Sequence, residues 1–132
     1  MCDSEYRNVG GKLEGSMEAI FHIVERNIWD NAKLKSEYEP ISVRKEGFIH
    51  CSTKSQVISV ANRFYRRRDG LVLLRIDPGL VKNEIRYEEA SDGVEGKFPH
   101  IYGSLNVEAV TDVVDFSCEQ DGSLCLPSEL KD

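Results

Sequence analysis

Three histidines stand among apolar neighbours: His22 in Phe21-His22-Ile23, His50 in Ile49-His50-Cys51 and His100 in Pro99-His100-Ile101. An imidazole in such company must have its ring nitrogens satisfied. Taken singly, each reads as a structural hydrogen bond. Two on neighbouring strands read as a cleft, where neutral imidazoles hold ribose hydroxyls and imidazoliums hold phosphate. Their separations of 28 and 50 residues match no metal-site spacing, and no metal is expected. Cys51 invites a reading as a nucleophile. Adjacent residues on a strand point to opposite faces, however, so His50 is a poor base for it, and a buried inert thiol is the plainer reading. Glu88 closes a short strand and is a candidate general acid or base. Glu89 beside it reads as a solvated strand-end charge. Arg63, Arg66, Arg67 and Arg68 could grip a diphosphate, but a solvated helix end explains them more simply.

These residues need elements to position them. An apolar run predicts a strand over Glu18–Val24 that carries His22. Ile28, Trp29 and Ala32 recur at helical spacing and predict a helix over Glu25–Glu37, ended by Tyr38-Glu39-Pro40. Gly47 marks a turn into a short strand, Phe48–Cys51, that carries His50. Thr53 and Gln56 form a capping-box pair before Val57, Val60, Ala61 and Phe64, which predict one buried helical stripe. Leu71–Ile76 reads as a buried strand and Asp77-Pro78-Gly79 as a turn. Ile85–Glu88 alternates like a strand, and Ser91–Lys97 is a Gly-rich loop. Pro99 and Gly103 make Phe98–Leu105 a structured loop rather than a central strand. Ala109–Phe116 predicts the last strand. Helices early and strands late argue an α+β fold.

At 132 residues the chain has the length of one domain. Residues 1–16 are expected to form a disordered tail, 17–118 a single domain, and 119–132 a polar, mobile tail. The formal net charge of −6 argues against unspecific binding to nucleic acid. Neither G-x-G-x-x-G nor G-x-x-x-x-G-K-[ST] occurs. Cys2, Cys51, Cys118 and Cys125 include no C-x-x-C pair. The start, MCDSEYRNVGG, has no apolar stretch, and no run of about 20 apolar residues occurs, so no signal peptide or membrane span is expected. The expectation is a cytoplasmic monomer whose thiols are free.

Four stretches go beyond pattern: Ile20-Phe21-His22-Ile23 followed by Trp29; Glu46-Gly47-Phe48-Ile49-His50-Cys51-Ser52; Leu71–Asp77 followed by Tyr87-Glu88; and Phe98-Pro99-His100-Ile101-Tyr102-Gly103-Ser104-Leu105. Together, from about Ala19 to Phe116, they resemble the domain-of-unknown-function family 952. Ser104 departs from it, since the family usually has proline there. That family in turn resembles the ADP-ribosyltransferase fold, a split β-sandwich of two small sheets with flanking helices and a cleft that binds NAD. The RNA 2′-phosphotransferases of that fold carry two histidines at places that His22 and His50 match. The glutamate that activates the acceptor in many of these transferases, and the phosphotransferases' arginines, have no clear counterpart here.

The resemblance implies a nucleotide cleft of the NAD or ADP-ribose type, with ADP-ribosyl or related glycosyl transfer as its reaction. It implies His22, His50 and Glu88 as catalytic residues, and His22, His50, Ser52, His100 and Tyr102 as nucleotide-binding ones. His22 would bond ribose hydroxyls, and His50 would face nicotinamide or phosphate. Tyr102 would stack on nicotinamide, and Glu88 would orient a hydroxyl or the acceptor. NAD then enters as a substrate rather than a tightly bound cofactor; the acceptor is unnamed. One alternative is a binding module that has lost the chemistry. Another is an unrelated enzyme that uses His50 and Cys51.

Overall fold

The computed structural model describes residues 18–90 and 95–130. The expected N-terminal tail, 1–16, and positions 91–94 of the Gly-rich loop lie outside the described residues. The order is β1 (Ile20–Glu25), α1 (Arg26–Lys35), β2 (Glu37–Tyr38), α2 (Ile41–Glu46), β3 (Ile49–His50), β4 (Ser52–Thr53), α3 (Lys54–Phe64), β5 (Leu71–Ile76), β6 (Glu84–Glu89), β7 (Lys97–Tyr102), β8 (Leu105–Asn106) and β9 (Val110–Phe116). The strands form antiparallel sheets in the orders β4-β1-β5-β9, β3-β7-β6 and β2-β8. The result is a small α+β fold with several antiparallel sheets and few helices.

The four-stranded sheet is buried on both faces, which is why Leu71–Ile76 is apolar at nearly every position. On one face Ile20, Val24, Val72, Leu74 and Ile76 pack with Trp29 of α1 and with Ile49 and Ile101 of the three-stranded sheet. On the other, Phe21, Ile23 and Leu73 meet Val57 and Ala61 of α3. The capping box holds: the Thr53 N–H donates to Gln56 Oε1 at 2.9 Å. The Gln56 amide donates in turn to the Lys97 carbonyl at 2.7 Å, which ties α3 to β7.

Several expectations need correction. Of the α3 stripe only Val57 and Ala61 are buried, and Phe64 is 46% exposed. Ile28 likewise faces solvent. Helix α1 ends before Tyr38, at Ser36, which takes a left-handed conformation with φ 65°. Helix α2 has no counterpart in the sequence reading. Phe98–Tyr102 is strand after all, central in its sheet. Pro99 is tolerated because it accepts from the Cys51 N–H at 3.0 Å. In an antiparallel strand a residue's N–H and C=O point the same way. The missing donor of Pro99 therefore faces the place where β3 ends and the chain leaves for β4, and β6 loses no ladder bond. The segment after Glu119 packs rather than hangs free: Leu124 and Leu130 are buried. The Asn62 side chain pairs both ways with the Leu124 backbone, at 2.8 and 2.7 Å.

Candidate functional site

His22 lies on β1 between Ile20 and Val24, on the face turned towards the three-stranded sheet. Its Nδ1 is 2.6 Å from the His50 carbonyl and its Nε2 2.7 Å from the Tyr38 hydroxyl. A carbonyl only accepts, so Nδ1 carries the proton, and Nε2 accepts from the Tyr38 O–H. Burial pushes the His22 pKa down from 6.5 to about 4; the His50 carbonyl pulls it up, and the His50 ring lowers it further. The ring is neutral and fully engaged. The same burial raises the pKa of Tyr38, with Cys51 and Tyr65 adding to it.

The outer face of the three-stranded sheet gathers the other candidates. Strand pairing sets His50 directly opposite His100, and Arg86 opposite His100 on the other side. Phe48 stacks on the His100 ring at 4.1 Å and 15°. The His50 and His100 rings meet edge to face, 5.4 Å apart. Each has a carboxylate behind it. His50 Nε2–H donates to Glu46 Oε1 at 2.5 Å, and His100 Nδ1–H donates to Glu88 Oε1 at 2.9 Å. Glu46 can reach His50 because Gly47, at φ 92°, stops α2 and folds the chain straight into β3. Tyr102 donates its hydroxyl to the same Glu88 oxygen at 2.6 Å, under the Arg86 guanidinium, which lies 4.4 Å from the Tyr102 ring. The bonds from Tyr102 and then His100 hold the Glu88 carboxyl below its usual pKa. The hydrogen bond to Glu88 raises that of Tyr102.

A cleft of about 490 Å³ opens where the start of α2, the β3–β4 junction and the C-terminal end of α3 come together. His22, His50, Ser52 and His100 line it on one side. Phe64, Tyr65 and Phe98 supply aromatic surface, and Arg68 stands at the α3 end. The Arg68 guanidinium is bonded to Glu25 at 2.8 Å and lies over the Tyr65 ring.

Four of the six residues expected at a site thus share the cleft. Glu88 and Tyr102 do not line it; they stand behind His100 and reach the cleft only through that ring. Cys51 borders it, but burial raises its thiol pKa far above the ordinary range, against a nucleophile. Cys51 and Cys118 are free thiols, and the Cys125 thiol donates to Glu119 at 3.4 Å. Cys2 lies outside the described residues. Among the described residues no group of three or more His, Cys, Asp or Glu is arranged to hold a metal, and no helix is long and apolar enough to cross a membrane. The sequence reading missed Glu46, Phe48 and Tyr38. The signal for Glu46 was available: a carboxylate four residues before a histidine, with a glycine between them.

A family model described as "Protein of unknown function (DUF952)" matches residues 23–113. Among solved structures, the X-ray structure of protein CC0527 from Caulobacter crescentus is 31% identical, with a TM-score of 0.73 over 82% of this chain and 94% of that one. The solution NMR structure of the same protein is 30% identical, with a TM-score of 0.73 over 85% and 96%. No curated protein matches the chain.

Proposed function

The chain belongs to the DUF952 family of proteins of unknown function, and from that premise we propose that its cleft binds a ribose-bearing nucleotide of the NAD or ADP-ribose type. The observation that carries this reading is the make-up of the cleft. Phe64, Tyr65 and Phe98 offer π-surface for a base or nicotinamide ring. Arg68 offers a guanidinium for phosphate. Ser52, His50 and His100 offer hydroxyl and imidazole groups for the ribose. The volume of about 490 Å³ falls in the usual range for small-molecule sites. The exposed Phe64 gains a purpose here, since a large apolar ring held at a cleft mouth is half-buried already and is covered fully by a ligand. An ADP-ribosyltransferase-like arrangement of the two larger sheets is part of the same proposal, supported by the cleft beside them.

His22 takes a supporting place, because both its nitrogens are engaged and a ribose hydroxyl would have to displace Tyr38. Glycosyl transfer asks for more than binding. An oxocarbenium-like centre needs a carboxylate or dipole aimed at it, and Glu88 faces His100 and Tyr102 instead. The geometry therefore favours a nucleotide-binding module over an ADP-ribosyltransferase.

The test is a thermal-shift panel of NAD, ADP-ribose and 2′-phosphorylated nucleotides. A ligand at a hundred times its dissociation constant adds about 2.7 kcal/mol of stability. Arg68→Ala and Phe64→Ala should each weaken binding about tenfold, the loss of one charge-assisted bond or one stacked ring. Nicotinamide release from NAD would restore the transferase reading. A panel without a single shift would remove the nucleotide.

A further inference from the structure

We propose that His50 and His100 form an acid–base pair that cleaves a small ribonucleoside phosphodiester in this cleft; the proposal rests on the nucleotide reading above. The two rings stand on adjacent strands, 5.4 Å apart, and both residues line the cleft. Each is held from behind by its own carboxylate, Glu46 on His50 and Glu88 on His100. Neither carboxylate lines the cleft, whereas both histidines do. In the neutral ring the bond to Glu46 leaves Nδ1 as the basic nitrogen of His50, and the bond to Glu88 leaves Nε2 as that of His100. A carboxylate behind an imidazole fixes its tautomer and stabilises the imidazolium that forms during proton transfer. A purely structural histidine needs its nitrogens satisfied, as His22 shows; two neighbouring rings at a cleft, each with its own carboxylate, go beyond that need.

A phosphodiester matches this pair because it needs a proton moved at each end. His50 Nδ1 takes the proton of the ribose 2′-hydroxyl, and the freed oxygen attacks phosphorus. The bond from phosphorus to the 5′-oxygen of the leaving nucleoside breaks, and the His100 imidazolium gives its Nε2 proton to that oxygen. The products are a 2′,3′-cyclic phosphate and a free 5′-hydroxyl. One proton is taken and one given, so exchange with water restores both rings. His100 is assigned as the acid because Glu88, anchored by the Tyr102 hydroxyl, holds its Nδ1–H and leaves Nε2 to serve the leaving oxygen. His50 is assigned as the base because its half-exposed ring can reach a hydroxyl. A net charge of −6 points to a short substrate rather than a long polyanion.

The experiment uses the full chain and adenylyl-(3′→5′)-adenosine as probe, with adenosine release followed by chromatography and binding followed in parallel by calorimetry. The expected result is turnover that falls at least about a hundredfold in His50→Ala and in His100→Ala. Because His100 is buried and its replacement could unfold the chain, Glu46→Gln serves as the surface variant, expected to lose roughly tenfold in kcat with KM and melting temperature unchanged. Binding without turnover overturns the acid–base pair and leaves the nucleotide cleft standing. Absence of binding by the probe, NAD and ADP-ribose overturns both. Turnover that survives His50→Ala or Glu46→Gln undiminished also overturns the pair.

Discussion

Through its two ring nitrogens His22 joins three sheets: its own β1, the His50 carbonyl of β3 and the Tyr38 hydroxyl of β2. This only works with a neutral ring, so His22 links stability to pH. The unfolded ring titrates near 6.5 and the folded ring near 4, so between those values the unfolded chain binds more protons. The contribution of His22 is full above pH 6.5 and is lost as the pH falls to about 4. Its ceiling is about 3 kcal/mol at 1.36 kcal/mol per pK unit. Urea unfolding at pH 7 and pH 4.5 should therefore show a steeper loss in the native chain than in His22→Gln; parallel losses would refute the assignment. Tyr38→Phe leaves the Nε2 acceptor buried without its donor and should cost about 1–3 kcal/mol by the same assay. Cys51 bears on the thiol-enzyme alternative. Its buried, protonated sulfur should resist iodoacetamide in the native state while Cys118 reacts, with mass spectrometry as the readout; fast labelling of Cys51 would revive that alternative. The need of all three histidines for partners was legible in their apolar neighbours. Of the partners only Glu46, four residues before His50, left a local signal; Tyr38 and Glu88 come from elements distant in sequence.

Helix α3 shows what periodicity can and cannot say. Val57, Val60, Ala61 and Phe64 do share a face, and the capping box starts the helix where expected. The face is buried only where the sheet lies beneath it; its C-terminal part overhangs the cleft. Phe64→Ala should thus cost about 1 kcal/mol or less, while Phe21→Ala, at 2% exposure, should cost about 3–5 kcal/mol, both read from urea unfolding. Equal costs would mean that Phe64 is covered in the free protein. Strand β7 failed the sequence reading for a general reason. Proline is excluded from a central strand only where its missing N–H would be used, and the sequence does not reveal that β3 ends opposite Pro99. Helix α2 was missed because it is only six residues long, although Arg44 and Lys45 before Gly47 mark its end.

In the molecule as a whole, the four-stranded sheet needs cover on both faces, and three-dimensional packing decides which segments supply it. Composition made the segment after Glu119 look polar, yet Leu124 and Leu130 close the core beside α3 and β9. Leu124→Ala should cost about 2–5 kcal/mol, and a neutral result in urea unfolding would show that the segment is peripheral. The α+β class, the α3 cap and the buried β5 could be read from local pattern; the cleft could not, because its lining comes from strands, a helix end and a loop that only the fold assembles. Whether this cleft takes a ribose-bearing nucleotide is read out by a backbone NMR titration of the native chain with ADP-ribose. Saturable shifts should concentrate at Ser52, Phe64, Tyr65, Arg68 and His100, with the β9 edge unmoved. Shifts absent at millimolar ligand, or confined to a surface away from those residues, would contradict the nucleotide reading.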